Sequence, residues 1–214
     1  MAEAKGNITS LFGIPLYTKN VPNISNDVLL QNEWRPIING QRTYGNKVLK
    51  DPRNAHYEQA MAKCVDEFMY DVLLIKPHLR WRWTTSWGLK HDPGHYSQIH
   101  SHGNALFSVI LYTHVPEKGG DLIIAKDSAR PVWTTGTVIP DLVRLNSITA
   151  GEVHIGVKNG DCVIFPAFCH HGSTKNESDG ARYCLVGNIF ISGKLVAEDD
   201  DDNNLDGSLM ELEI

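Results

Sequence analysis

At Leu79 the hydrophobic rhythm of this 214-residue chain changes, and the change limits the folds open to it. Upstream, Tyr57, Met61, Cys64, Val65, Phe68, Val72 and Leu73 recur at three- and four-residue intervals, which predicts a helix over about Asn54 to Leu74 with one apolar face. From Leu79 the period is two. Trp81, Trp83, Thr85 and Trp87 alternate with Arg80, Arg82, Thr84 and Ser86, which predicts a strand with the tryptophans on one face under the helix. Further strand-like runs follow: Tyr96 to His102 after the turn Asp92-Pro93-Gly94, then Leu106 to Val115, Asp121 to Ala125, Glu152 to Val157, Asp161 to Phe165 and Arg182 to Ser192. Pro116-Glu117-Lys118-Gly119-Gly120 and Lys158-Asn159-Gly160 are turn signals, each predicting a hairpin between its flanking runs. Many short strands after a helix imply a mainly β fold with some α: a double-stranded β-helix (jelly-roll) sandwich with N-terminal helices packed on one sheet.

Residues 1–53 read as an N-terminal edge strand, a short helix and a loop. Leu11 to Tyr17, interrupted by Pro15, suits the edge strand; Ser25 or Asn26 can cap a helix through Val28, Leu29, Leu30 and Trp34 that stops at Pro36; Asn39 to Arg53 is polar and reads as loop. Residues 54–193 carry the helix and the jelly roll. Within them Asp127 to Ala150 reads as a long ordered insertion of the kind that forms a lid or binding loop. Residues 194–214 form an acidic tail in which Glu198 to Asn204 is self-repelling and predicted to be disordered, with Leu209, Met210 and Leu212 able to dock locally.

A hydrophobic content of 42% supports one sizeable core, and a net charge of -5 disfavours a dedicated binder of nucleic acid or anionic membranes. The N-terminal sequence lacks a secretory signal and no later stretch approaches a membrane span, so the expected setting is soluble and cytoplasmic. Cys64, Cys162, Cys169 and Cys184 are widely spaced and read as free thiols.

The chemistry concentrates in three places. His100 and His102 share one face of their strand, a distal pair His170-His171 follows Phe165-Pro166, and Arg182 lies eleven residues past His171. Adjacent strand residues face opposite ways, and the spacing from Phe165-Pro166 selects His171 for the site and leaves His170 outside it. Two or three neutral imidazoles suit a divalent metal, and an arginine presents a planar fork matched to a carboxylate. Tyr112 and Ser108, alternating on one strand, can add neutral hydrogen bonds. His91, His95, His114 and His154 have no comparable partner and read as ordinary surface or hydrogen-bonded residues. Taken alone, His-x-His is common in strands and a lone arginine is more often a surface ion pair.

The ordered series of motifs resembles the iron(II)- and 2-oxoglutarate-dependent oxygenases of the prolyl-hydroxylase-like branch over about Trp81 to Ile191. Gly94-His95-Tyr96-Ser97-Gln98-Ile99-His100-Ser101-His102 is similar to the strand that opens the family's site. Leu106 to Tyr112 with Gly119-Gly120-Asp121 resembles its next strand and turn, and Gly160 to Pro166, His171-Gly172-Ser173 and Arg182-Tyr183 resemble its distal histidine and co-substrate arginine. The resemblance implies Fe(II) and 2-oxoglutarate as cofactors, His100 and His171 as metal ligands, Arg182 as the clamp on the far carboxylate of 2-oxoglutarate, and Tyr96 as a co-substrate contact. It also implies dioxygen as co-substrate, with decarboxylation of 2-oxoglutarate to succinate coupled to hydroxylation of a substrate, a peptide side chain being the first expectation. The chain departs from the family at His102, where the pattern has a carboxylate. Three arrangements follow: His102 ligates, it swings away and leaves room for water or halide, or a carboxylate such as Asp121 substitutes. Two other functions fit the residues less fully: a cupin-like dioxygenase with three histidine ligands and no 2-oxo acid, and a non-enzymatic jelly-roll interaction module.

Overall fold

The computed structural model describes residues 13–126, 140–146, 149–194 and 211–212. Two sheets face each other. The larger has the order β1 (Tyr17–Asn20), β8 (Asp161–Pro166), β5 (Phe107–His114), β10 (Arg182–Lys194), β4 (Arg80–His91), β3 (Gly40–Thr43), β2 (Trp34–Ile37), with β11 (Glu211–Leu212) paired to the far end of β10. The smaller consists of β7 (Glu152–Ile155), β6 (Leu122–Ala125) and β9 (His170–Ser173). Every named pairing is antiparallel. This is the predicted jelly-roll sandwich. Among the described residues no helix is long and apolar enough to cross a membrane.

The amphipathic helix forms where its period predicts. The α-helix α1 (Ala55–Asp66) continues into π-helical winding over Glu67–Val72, where Leu73 N–H reaches back five residues to the Phe68 carbonyl. Tyr57, Met61, Cys64, Val65, Phe68 and Met69 are buried against the outer face of the larger sheet. The wider π winding carries Val72 off that stripe, leaving it 54% exposed despite its place in the pattern. Phe68 sits at the centre, edge-on to Phe107 at 5.0 Å and tilted against Tyr17 at 5.7 Å.

Both predicted hairpins are corrected. β5 and β6 lie in different sheets, as do β7 and β8, so each glycine turn passes the chain across the sandwich instead of folding a strand onto its neighbour. A turn signal fixes reversal but not the partner, and the apolar strands on either side are equally suited to either sheet. Arg182 likewise begins a strand of the sheet facing His171, so no hairpin joins them.

The N-terminal expectations also change. The predicted helix from Val28 to Trp34 is one 3-10 turn, Leu29–Gln31, and Trp34 opens β2. Pro36 is tolerated there because β2 is an edge strand with an unpaired side. The predicted loop from Asn39 to Arg53 contains β3 and the 3-10 turns Val48–Lys50 and Pro52–Asn54. The first edge strand starts at Tyr17, after Pro15, and Leu11 lies outside the described residues. Most of the predicted 127–150 insertion and the acidic run 198–204 lie outside them too, as do Leu209 and Met210, whereas Leu212 pairs with Gly193.

A β-bulge alters the tryptophan pattern. Asn188 pairs with Thr85 and Ile189 with Trp83, so Thr84 is an extra residue and the two halves of β4 have opposite phase. Trp81 and Trp83 pack under the helix, their indole N–H groups donating to Asp66 and Glu58. Trp87 instead faces the interior of the sandwich. The expectation of all three tryptophans under the helix therefore holds only for the first two.

The fold analysis generates a stability prediction. Phe68→Ala removes a fully buried ring between helix and sheet and is expected to lower unfolding free energy by about 3–5 kcal/mol in equilibrium urea unfolding. A loss below about 1 kcal/mol contradicts this account of the helix-to-sheet core.

Candidate metal and anion site

Between the sheets lies a cavity of about 560 Å³, a size suited to a small molecule. Its walls include His100, His102, His171, Tyr96, Tyr112 and Arg182. The segment predicted as a strand, Tyr96 to His102, is extended but joins the smaller sheet by one isolated bridge. That bridge is between His100 and His171, each N–H donating to the other's carbonyl at 2.9 and 2.8 Å. Gly172 makes the approach possible, because a Cβ there would lie 2.7 Å from the Ser97 carbonyl oxygen. The Asp92-Pro93-Gly94 turn forms as predicted, with Gly94 at φ +83° and His95 N–H donating to the Asp92 carbonyl. Buried Asn176 ties it down by donating from its side chain to the His91 carbonyl and exchanging backbone bonds with Gly94 and His95.

The three imidazoles converge. Ring centroids are 4.4 Å apart for His100 and His171, 5.0 Å for His102 and His171, and 5.1 Å for His100 and His102. One nitrogen from each lies within 4.8 Å of the other two, a group able to hold a metal ion. Nδ1 of His100 donates to the Gln98 carbonyl at 2.7 Å and Nδ1 of His171 to the Cys169 carbonyl at 2.9 Å. A carbonyl only accepts, so both rings carry their proton on Nδ1 and leave Nε2 bare. Burial, together with the neighbouring imidazoles, pushes the His171 pKa down to about 3, and burial with His100 lowers that of His102. Neutral rings are the form that ligates.

His102 is positioned by groups that local sequence patterns do not reveal. Its Nδ1 lies 2.6 Å from the side-chain amide of Asn188, and its ring stacks at 21° on Trp87. Asn188 in turn accepts from the Ser108 hydroxyl at 2.9 Å and donates to that of Thr85 at 3.2 Å. Ser108, expected near the co-substrate, is fully buried behind His102 and contributes no part of the cavity wall. His170 belongs to β9 but not to the cavity wall, and Asp121 is not in the histidine group.

Arg182 is 2% exposed and has no carboxylate partner among the described residues. Its Nη1 donates to the Gly120 carbonyl at 3.0 Å, its Nη2 to Ser173 Oγ at 2.8 Å and to Nδ1 of His91 at 3.0 Å, while Nε is buried without a partner. Gly120, at φ +93°, leaves no room for a side chain beside Nη1. Because the guanidinium only donates, His91 accepts at Nδ1 and carries its proton on Nε2, which donates to Ser97 Oγ at 3.1 Å. Ser173 Oγ accepts from both Arg182 and Ser97 N–H, so its own proton is free for an acceptor in the cavity. Tyr112 is buried with its hydroxyl unbonded among the described residues, and burial raises its pKa well above the usual phenol range. A buried cation with an orphaned donor and two neutral hydroxyls around it fits a carboxylate. His91 and Ser173 carried no distinguishing signal beyond their places beside the turn and the distal histidine.

Residues 85–188, which include His91, His100, His102, His171 and Arg182, match the family model described as "Putative 2OG-Fe(II) oxygenase". No curated protein matches the sequence. Among solved structures, HygX from Streptomyces hygroscopicus with nickel and 2-oxoglutarate bound is similar over 88% of this chain and 89% of its own, at 12% identity and a TM-score of 0.54. A viral collagen prolyl hydroxylase from Paramecium Bursaria Chlorella virus-1, as its 2OG complex, is similar over 81% and 94%, at 13% identity and 0.53. A Pseudomonas putida prolyl-4-hydroxylase is similar over 82% and 92%, at 14% identity and 0.51.

The neutral His91 behind Arg182 generates a pH prediction. Burial, then the adjacent guanidinium, holds its folded pKa at about 3 against 6.5, so between these values the unfolded chain binds the extra proton. Its contribution to stability is complete above about pH 6.5 and is lost as pH falls toward 3, with a slope near 1.4 kcal/mol per pH unit. Denaturant titrations from pH 7 to 4 are expected to show a steeper loss for the native sequence than for His91→Gln, and parallel curves contradict a buried neutral His91. Residues 85–188 thus match an iron(II)- and 2-oxoglutarate-dependent oxygenase family model, and the fold is shared with solved oxygenases that bind 2-oxoglutarate.

Proposed function

We propose that this oxygenase holds Fe(II) through His100, His102 and His171, binds 2-oxoglutarate with its far carboxylate on Arg182, and hydroxylates an organic substrate. The observation that carries the reading is Arg182, a nearly solvent-free cation lacking an acidic partner, in the same cavity as three converging imidazoles. When bound, the iron and the 2-oxo acid together supply dioxygen-driven oxidation of a C–H bond, with 2-oxoglutarate converted to succinate.

The protein's own groups orient and exclude. Arg182 offers its unpaired Nε–H and remaining Nη1–H to the carboxylate, with Ser173 donating beside it and Tyr112 within the same wall. Tyr96 lies on the cavity wall on the His100 segment, where it can contact the co-substrate. His91 accepts from Arg182 without adding charge, which keeps the fork aimed while leaving its field unopposed. The carbonyls of Gln98 and Cys169 fix the tautomers of His100 and His171. For His102 the orienting group is the Asn188 amide, whose fork bears both a donor and an acceptor. The amide nitrogen faces His102 Nδ1 in the structure; turning the amide over puts its carbonyl there and leaves Nε2 bare for the ion, and the Ser108 and Thr85 hydroxyls satisfy either orientation. A dioxygenase with the same three histidines but no 2-oxo acid leaves Arg182 without a purpose.

The test is anaerobic titration with Fe(II) and 2-oxoglutarate, followed by measurement of succinate in air. A visible charge-transfer band is expected only with both present, and Arg182→Ala is expected to weaken 2-oxoglutarate binding by about a hundredfold, removing a charged hydrogen-bond partner from a desolvated site. Equal succinate formation by both proteins removes Arg182 from this role.

A further inference from the structure

The cavity has a second guanidinium that the co-substrate reading does not use. Arg42 lies on the wall at the β3 side, its Cζ 5.2 Å from the ring centroid of Trp87. Its Nη2 donates to the Gly45 carbonyl at 3.3 Å, its Nε is buried without a partner, and no carboxylate lies within 4.0 Å among the described residues. Directly opposite on β2 stands Arg35, exposed and likewise unpaired. Like charges at opposed positions of an antiparallel pair repel. Burial and Arg35 together lower the Arg42 pKa, a sign that the cation is uncompensated there.

The wider charge balance points the same way. Among the described residues, the cavity wall includes the two arginines and four histidines but no aspartate or glutamate. A dipositive ion on three neutral imidazoles, with Arg182 and Arg42, leaves an excess of positive charge even after the two carboxylates of 2-oxoglutarate are seated. Where a carboxylate ligand would offset part of this, the chain has His102. The mouth also has apolar lips: Ile37, Ile38 and Ile99 line it while 37%, 76% and 45% exposed.

We propose that this rim is a subsite for an anionic primary substrate. Arg42, assisted by Arg35, takes a carboxylate or phosphate of a molecule whose apolar part lies along Trp87 and the isoleucine lips. The subsite rests on the oxygenase reading for its role as a substrate site, but anion binding there is measurable without iron or turnover. Stacking on Trp87 orients the Arg42 fork, and the same indole stacks on His102, so one ring links the anion-binding cation to the histidine group.

The experiment is isothermal titration calorimetry of the full-length chain with hexanoate, hexyl phosphate, hexan-1-ol and hexylammonium. Each is titrated into metal-free protein and into protein given Ni(II) and saturating 2-oxoglutarate. At least one anion is expected to bind about tenfold or more tighter than the alcohol or the cation in both states, and the tighter anion names the head group. Arg42→Gln is expected to erase that preference, and Arg35→Gln, at an exposed position without hydrogen bonds, to weaken it several-fold. Equal affinity for anions and alcohol, or a preference untouched by either substitution, overturns the proposal. Failure of Ni(II) and 2-oxoglutarate to bind, with the anion preference intact, counts against the oxygenase site and leaves the subsite standing.

Discussion

The reciprocal backbone pair between His100 and His171 is the constraint on which the site depends. It fastens a segment with no continuous strand pairing to the edge of the smaller sheet, so two imidazoles project from directly opposed positions. His102, two residues on, is held separately, by its N–H to the Ala167 carbonyl and its ring between Trp87 and the other imidazoles. Three attachments at different points of the fold define the position of one cluster. Such a cluster is costly to assemble without a ligand, since neutral rings must be desolvated beside one another, and the depressed pKa of His171 reflects that environment.

The same logic governs the cations. A guanidinium as buried as Arg182 is ordinarily matched by an acid, and here its partners are a carbonyl, a hydroxyl and a neutral imidazole. These hold its shape without cancelling its charge. With His102 where the family pattern has a carboxylate and Arg42 at the mouth, the described walls of the cavity carry two guanidinium groups and no acidic side chain, a property of this chain's own residues within a widely shared fold.

Much of this was legible in the sequence, for identifiable reasons. The α1 stripe and the period-two runs are local patterns, and Asp92-Pro93-Gly94 is a turn signal with a steric cause, so the helix, most strands and that turn sit where expected. Pairing was not legible. Glycine turns that read as hairpins carry the chain between sheets, because partner choice is decided by long-range packing. One extra residue at Thr84 inverted the phase of β4, moving Trp87 from the helical layer to the cavity. The convergence of His100, His102, His171 and Arg182 came from motif order, whereas Asn188, Ser173, His91 and Arg42 are common residue types whose meaning depends on what lies across the sandwich.

The most direct measurement is X-ray absorption at the iron edge of the protein loaded with Fe(II) and 2-oxoglutarate. The account predicts outer-shell scattering from three imidazoles, falling to two in His102→Ala. A first shell containing a protein carboxylate, or an imidazole count unchanged by that substitution, contradicts it.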